Sequence, residues 1–309
     1  MSLLSVIIPT YNRRDLLRQT LETVLSQPGE PSQIVVVDDG STDGTLEMLQ
    51  TMSDRVTALR QSNGGPGAAR NRGAAAATGE YLAFLDSDDL WFPWTAATYR
   101  RVIELHDRPA FVAGKPFEFK QESELSAALG GELATEAFAD YYASGDEWRW
   151  WGASSFVVRR QDFQAAGGYC DAPGISGEDC DLALKLGTAS GFVQIRQPAT
   201  FGYRWHPGNL TNEIQRCRNN LRLYIRQEQE GRYPGGTDRR FERWRILTRH
   251  TRSASVTLAK AGYVADAWSV YRDTARWNLS QMRAKYLVTF PLLLAARLAR
   301  PGQGGAKAA

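Results

Sequence analysis

The sequence predicts an α/β protein with a mostly parallel central sheet flanked by helices, followed by a C-terminal helical extension. Short apolar runs alternate four times with helix-forming segments over the first ninety residues, and polar or acidic residues follow three of these runs directly. Such alternation builds a parallel sheet covered by helices on both faces. The character changes to long helical segments after residue 208. We therefore expect a domain over residues 1–208, a basic helical extension over 209–300 and a flexible tail over 301–309.

The individual elements follow from the spacing of apolar residues. Strands are expected at 3–9, 34–37, 56–59 and 81–85, and helices at 13–26, from 41 onward and at 68–77. Beyond residue 91 the pattern weakens. There we expect a strand within 110–119, a helix over 132–143, a strand at 155–158, a helix at 179–187 and a strand at 192–195. The segments 211–229, 239–260 and 263–298 are expected to be helical, with breaks near Gly262, Leu279 and Pro291.

The composition excludes several classes of protein. Of the 309 residues, 43% are hydrophobic and 23% charged, which is typical of a folded domain and excludes a disordered chain. The three cysteines contain no CxxC pair, which argues against a disulfide scaffold and a cysteine-built zinc site. No basic-then-apolar leader is recognisable, so we expect a cytoplasmic protein. Nucleic-acid partners are not expected, because no zinc-finger, RNA-binding or helix-turn-helix signature is present.

The charge is distributed unevenly along the chain. Residues 1–203 carry 17 Lys/Arg and 27 Asp/Glu, whereas residues 204–309 carry 20 and 7. The basic region could face phosphates, an anionic membrane or the acidic region itself. The Leu-rich stretch Tyr286–Ala299 is interrupted by Pro291 and Arg297 and is too short to span a bilayer. Peripheral contact with the inner face of the membrane, packing of a terminal helix on its own domain and homodimerisation all remain open.

Two acidic clusters are candidates for metal binding and general-base catalysis. Asp86 and Asp88 form a DxD pattern after the fourth strand, where an extended backbone would direct both side chains to one side. Two neighbouring carboxylates repel each other unless a cation lies between them, and a divalent ion meets that need, although isolated DxD patterns are usually solvated loop acids. Glu178 and Asp179 open a predicted helix. There a carboxylate either caps the helix or serves as a general base kept ionised by the helix dipole.

Five segments together resemble the family 2 glycosyltransferases, inverting enzymes of the GT-A fold. The matching segments are 5–12, 35–43, 63–73, 79–89 and 177–182, which occur in the family's order, and the likeness covers residues 3–205. The resemblance implies transfer of a sugar from a nucleotide-sugar donor, most simply a UDP-sugar, to a hydroxyl of a glycan or a lipid-linked acceptor. It also implies Mn²⁺ or Mg²⁺ on the donor diphosphate.

The resemblance also implies roles for individual residues. Donor binding is assigned to Thr10, Tyr11, Asn12, Arg13, Asp39, Arg70 and Asp86. Tyr11 is expected near the base, Asp39 as its hydrogen-bond acceptor and Asp86 at the ribose. Asp88 is the expected metal ligand, and His206 falls where related enzymes place a group near the metal. Asp179 is the implied catalytic base, with Glu178 beside it.

The acceptor side is less defined. Trp150 and Trp151 offer indole faces that could stack on a sugar, although aromatic residues usually belong to a core. Two alternatives to glycosyl transfer remain. A nucleotidyltransferase would carry a Gly-rich loop with Arg and Lys directly after the first strand, which this chain lacks. A carbohydrate-binding module without turnover would lack the catalytic base.

Overall fold

The computed structural model of the protein describes residues 3–29, 33–145, 152–172, 174–175, 178–206 and 214–298. The chain divides into two compact units. The first consists of Met1–Tyr141 and Trp148–Asn209, and the second of Tyr142–Glu147 and Leu210–Ala309.

The first half of the first unit alternates strands and helices as predicted. Its elements are β1 (Leu4–Thr10), α1 (Arg14–Leu25), β2 (Gln33–Asp38), α2 (Thr45–Gln50), β3 (Thr57–Arg60), α3 (Pro66–Ala76) and β4 (Tyr81–Phe84). β1 pairs in parallel with both β2 and β4, and β2 with β3. Every residue of β1 is buried, because both faces of the sheet are covered. Val36 of β2 belongs to the main core cluster with α1, whereas Val35 and Val37 pack with Ala69 of α3.

The second half completes a large sheet and adds a small one. It contains β5 (Leu90–Trp91), α4 (Thr95–Leu105), β6 (Phe111–Ala113), β7 (Pro116–Phe119), β8 (Ala134–Phe138), β9 (Phe156–Arg159), α5 (Arg160–Ala165), α6 (Glu178–Lys185), β10 (Phe192–Gln197) and β11 (Phe201–Arg204). The large sheet has the order β3-β2-β1-β4-β9-β6-β10-β8, and the small sheet has the order β5-β11-β7. Strands β8 and β9 run antiparallel to their neighbours.

Several sequence expectations differ from the structure. The helix expected over 132–143 is wrong: Ala134–Phe138 is a strand paired antiparallel with β10. Its Glu, Leu and Ala content favours a helix locally, and pairing at the sheet edge overrides that propensity. The expected strand within 110–119 divides at Gly114 into two strands of different sheets. Helix α2 begins at Thr45 rather than Ser41, after Asp43 has accepted a hydrogen bond from the Thr45 amide. Helix α4 was not anticipated.

Helix α3 lies unusually close to the sheet, which matters because it borders the site described below. A Cβ on Gly73 would stand 2.5 Å from Cγ2 of Ile7 and 3.2 Å from Cγ2 of Val37. Glycine at this position therefore permits the close approach of α3 to β1 and β2. Gly40 has φ +88° in the turn after β2, a backbone conformation that residues other than glycine rarely adopt.

The second unit is helical, with α7 (Ile214–Gln229), α8 (Arg240–Lys260), α9 (Val264–Ser280) and α10 (Ala284–Leu298). Its interior contains an ion pair between Arg243 Nε and Glu228 Oε2 at 2.7 Å, and Trp244 Nε1 donates to the same carboxylate. The expected break at Pro291 is absent, because α10 continues through it. Proline cannot donate to the Leu287 carbonyl, which instead accepts a hydrogen bond from the Tyr271 hydroxyl at 2.8 Å. Among the described helices, none is long and apolar enough to cross a membrane.

Candidate active site

Three carboxylates converge in the turn that follows β4. Asp86, Asp88 and Asp89 each offer one oxygen, and these oxygens lie within 4.8 Å of one another. The convergence arises from a turn, in which the Asp89 amide donates to the Asp86 carbonyl at 3.1 Å, and not from the extended backbone expected from the sequence. Clustered oxygen ligands are what a hard divalent cation prefers. The donor set therefore fits Mn²⁺ or Mg²⁺.

Asp89 anchors this turn to the rest of the unit. Its carboxylate accepts hydrogen bonds from Ser154 Oγ at 2.6 Å and the Arg204 amide at 3.1 Å, and its carbonyl accepts one from Thr20 Oγ1. Burial, followed by the charges of Asp88 and Asp86, raises the pKa of Asp89 well above its usual range, while the two hydrogen bonds oppose the shift. Asp89 is the last residue of the matching segment 79–89, and the sequence alone predicts no role for it. Its complete burial distinguishes it from the two acids before it.

Asp88 is held by two basic side chains. Arg13 Nη1 bonds Asp88 Oδ2, and His206 Nε2 lies 2.8 Å from the same oxygen. Arg204 Nε donates to the Asp88 carbonyl at 3.0 Å, which fixes the backbone at this position. His206 was expected near the metal ligand and is adjacent to it. Arg13, expected to line the nucleotide pocket, contacts the predicted metal ligand.

Asp86 is held by an arginine of α3. Arg70 Nη2 lies 2.6 Å from Asp86 Oδ1, and the Arg70 guanidinium stacks over the ring of Tyr169 with 5.2 Å between its carbon and the ring centroid. Arg70 is nearly inaccessible, whereas about a third of the Asp86 side chain remains exposed. Arg70, expected to approach the nucleotide, therefore positions the Asp86 carboxylate, which keeps an open side toward solvent.

The Asp39 carboxylate organises the loop after β3. Asp39 Oδ1 accepts hydrogen bonds from Gln61 Nε2 and the Gly64 amide, and Oδ2 accepts one from the Gly65 amide, each at 2.8 Å. A carboxylate oxygen can accept more than one hydrogen bond, so Oδ2 keeps capacity for a further donor. Asp39 thus fixes the loop that precedes α3. Its Oδ2 keeps the capacity to accept a hydrogen bond from a nucleotide base, which is the role that the resemblance implies.

The ends of β1 and β2 form a polar edge next to these acids. Asn12 has φ +51°. Its side-chain Oδ1 accepts a hydrogen bond from the Thr42 backbone amide, and its backbone amide donates to Ser41 Oγ. Tyr11 is about half exposed. Thr10 is buried, and its Oγ1 has no hydrogen-bond partner within the described part of the chain. A buried hydroxyl without a partner is costly, and a bound ligand would satisfy it.

The segment that contains Tyr169 and Cys170 packs directly on α3. Asn71 of α3 exchanges two hydrogen bonds of 2.9 Å with the backbone of Tyr169. At Gly67 a Cβ would overlap the carbonyl of Cys170, so this segment runs directly along α3. Helix α6 then begins at Glu178, with Asp179 as its second residue. The positive end of a helix favours an ionised carboxylate there.

Some predicted residues lie beyond what the structure describes. Trp150 and Trp151, the proposed acceptor residues, fall outside the described residues, as does the side chain of Glu178. Asp181, two residues after Asp179, is buried and pairs with Lys185 Nζ at 2.7 Å. Asp181 therefore stabilises α6 through an ion pair one turn along the helix.

Comparison with known proteins identifies the family. Residues 5–153 match the model of glycosyl transferase family 2. An uncharacterized glycosyltransferase from Nostoc sp. is 32% identical over 168 residues, which cover 51% of this chain and 51% of that protein. The chain spans about half the length, or less, of the curated relatives that it matches. The matched part of the chain belongs to glycosyl transferase family 2.

Solved structures show the same fold. The Staphylococcus aureus protein TarS, residues 1–349 in complex with UDP-GlcNAc, aligns with a TM-score of 0.70 at 18% identity over 96% of this chain and 87% of that chain. The mannosyltransferase PcManGT from Pyrobaculum calidifontis, in complex with GDP-Man and Mn²⁺, aligns with a TM-score of 0.55 at 18% identity, covering 96% and 86%. The predicted GT-A fold is confirmed.

Proposed function

We propose that this chain is an inverting glycosyltransferase that moves a sugar from a nucleotide-sugar donor to an acceptor hydroxyl. The observation that carries the proposal is the turn of Asp86, Asp88 and Asp89 at the carboxyl edge of a family 2 sheet. In open α/β sheets, ligands bind beyond the carboxyl ends of the strands. The position of the acids at this edge therefore supports a donor site there.

The donor is proposed to be a UDP-sugar. TarS, which has the higher TM-score of the two neighbours, is bound to UDP-GlcNAc, whereas PcManGT is bound to GDP-Man. The comparison with TarS therefore favours UDP. On this chain, Thr10 and Tyr11 would face the nucleotide, and the remaining acceptor capacity of Asp39 Oδ2 would serve the base. Asp86, oriented by Arg70, would accept from the ribose.

Mn²⁺ or Mg²⁺ is proposed as the cofactor, held by Asp88 with His206 beside it. When bound, a divalent cation would stabilise the negative charge that develops on the leaving diphosphate. Arg13, which neutralises Asp88 in the structure, would be released to face the diphosphate. Asp89 would stay buried and keep the turn in place through Ser154 and Arg204.

Asp179 is proposed as the general base. It would remove the proton from the acceptor hydroxyl, whose oxygen attacks the anomeric carbon from the side opposite the diphosphate, so the configuration inverts. The first turn of α6 favours the ionised form that a base requires. Glu178, its neighbour, would assist in orienting the acceptor. The acceptor itself is proposed to be a glycan or a lipid-linked sugar.

A single set of measurements tests the proposal. Sugar release or transfer from UDP-sugars is measured with Mn²⁺ for wild type, Asp88→Asn and the exposed-acid control Asp54→Asn. We expect activity in wild type and control and loss of at least a hundredfold in Asp88→Asn. Equal activity in all three would refute the metal site. Pyrophosphate release from a nucleoside triphosphate would instead indicate a nucleotidyltransferase, and sugar binding without nucleotide affinity a binding module.

A further inference from the structure

Helix α10 is apolar on two opposite sides. Tyr286, Phe290 and Leu294 are buried against the other helices of the second unit. Val288 and Leu292, four residues apart on the other side, are 65% and 66% exposed. A surface helix of a globular protein normally turns charged or polar residues outward. The outer face of α10 is thus an apolar surface that the described residues leave uncovered.

The stretch of chain that contains this face carries charge of one sign. From residue 274 to residue 309 the chain has no Asp or Glu, and it carries six basic residues, which are Arg276, Arg283, Lys285, Arg297, Arg300 and Lys307. Lys285 is exposed and precedes Val288 by three residues, so it lies on the same side of the helix. An apolar stripe accompanied only by cations is typical of a helix that binds an anionic lipid surface.

A second copy of the chain fits this face less well. In a two-fold dimer the same patch meets itself, which would bring Lys285 and its neighbouring cations together, and α10 carries no acidic residue to pair with them. One helix of 15 residues, about 22 Å long, also offers far less than the roughly 800 Å² per partner of a stable interface. Phosphate-bearing lipids, by contrast, supply both the missing anions and an apolar layer.

We propose that α10 docks this protein on an anionic lipid surface. The helix lies in the plane of the interface, with Val288 and Leu292 in the boundary between head groups and acyl chains. Lys285 and the flanking arginines face the lipid phosphates. This inference does not depend on the proposed sugar transfer, because it rests on the second unit alone.

Vesicle flotation of the full chain tests the docking surface. Wild type, Leu292→Asp, Lys285→Glu and Leu129→Asp are compared on phosphatidylcholine vesicles with and without a quarter of phosphatidylglycerol. Leu129 is 77% exposed in the first unit, so Leu129→Asp places the same charge on an equally accessible apolar residue elsewhere. The changed residues are all exposed, and circular dichroism checks that each variant is folded.

Wild type and Leu129→Asp are expected to float with the anionic vesicles and to be released by 0.5 M salt. Leu292→Asp should weaken binding by about tenfold or more through lost apolar burial, and Lys285→Glu by about tenfold on anionic vesicles. Flotation that is equal in all four proteins would overturn the proposal, as would no flotation of wild type. A wild-type dimer in light scattering that Leu292→Asp dissociates would assign the face to a second copy instead.

Discussion

The contact between Arg13 and Asp88 gives a prediction about metal affinity. The Arg13 guanidinium contacts Asp88 Oδ2, and a divalent cation held by Asp88 would compete with it for the same carboxylate. Binding the proposed ion at that oxygen would therefore displace Arg13. Replacing Arg13 with alanine removes this competitor in advance, and we expect Arg13→Ala to bind Mn²⁺ more tightly than wild type in the absence of nucleotide.

The size of the effect follows from the burial of the pair. The Asp88 side chain is 8% exposed and that of Arg13 is 24% exposed. Fully exposed pairs contribute about 0.2–1 kcal/mol, whereas breaking a buried pair costs about 3–5 kcal/mol. A partly buried pair falls between these limits, at about 1–2 kcal/mol. That range corresponds to a dissociation constant for Mn²⁺ that is about 5- to 30-fold lower in Arg13→Ala.

Electron paramagnetic resonance measures free Mn²⁺ directly during titration of the protein. Arg14→Ala is the matched control, because Arg14 is the next residue, is more exposed and pairs with Asp15. Asp88→Asn reports how much of the binding belongs to this site. An Arg13→Ala affinity equal to or weaker than that of wild type, with binding still lost in Asp88→Asn, would refute competition while leaving the metal site intact.

Three further predictions concern the base, the packing and the pH dependence. Asp179→Asn should retain UDP affinity in calorimetry and lose about 10²–10⁴ in transfer rate, and a parallel loss of UDP binding would contradict a role as base. Gly67→Ala should cost about 1–3 kcal/mol in urea unfolding because its Cβ would overlap the Cys170 carbonyl; Gly131→Ala, which meets nothing within 4 Å, is the control and should change little. Burial lowers the pKa of His250 to about 4, below its unfolded value near 6.5, so stability is complete above pH 6.5 and declines by up to about 3 kcal/mol as pH falls toward 4. His250→Gln should flatten that decline in urea titrations at pH 7 and pH 4.5, and an unchanged slope would contradict the assignment.

The sequence predicts the part of the fold that is set by local periodicity. Strands such as β1 and β4 are buried on both faces, so uninterrupted apolar runs identify them. The sequence predicts a helix over 132–143, whereas Ala134–Phe138 is a strand, because its conformation depends on pairing with β10, about sixty residues away in the chain. Likewise, the partner of the Leu287 carbonyl, which Pro291 leaves without a helical donor, is the hydroxyl of Tyr271 on another helix.

The candidate site shows the same division between local and distant information. The positions of Asp86 and Asp88 at a strand end could be read from the sequence, since the DxD pattern follows an apolar run directly. The contacts of Arg13 and Arg70 could not, because an arginine that faces a phosphate and one that neutralises a carboxylate have the same local sequence. Asp89 gained its structural role only through Ser154 and Arg204, which come from distant parts of the chain.

The location of bound manganese tests the central claim most directly. Crystals grown with UDP and Mn²⁺ would be measured at the manganese absorption edge, where the ion gives an anomalous difference peak. We predict a peak about 2.0–2.6 Å from a carboxylate oxygen of Asp88, between that residue and the diphosphate of UDP. Bound UDP whose manganese lies away from Asp86 and Asp88 would contradict the account.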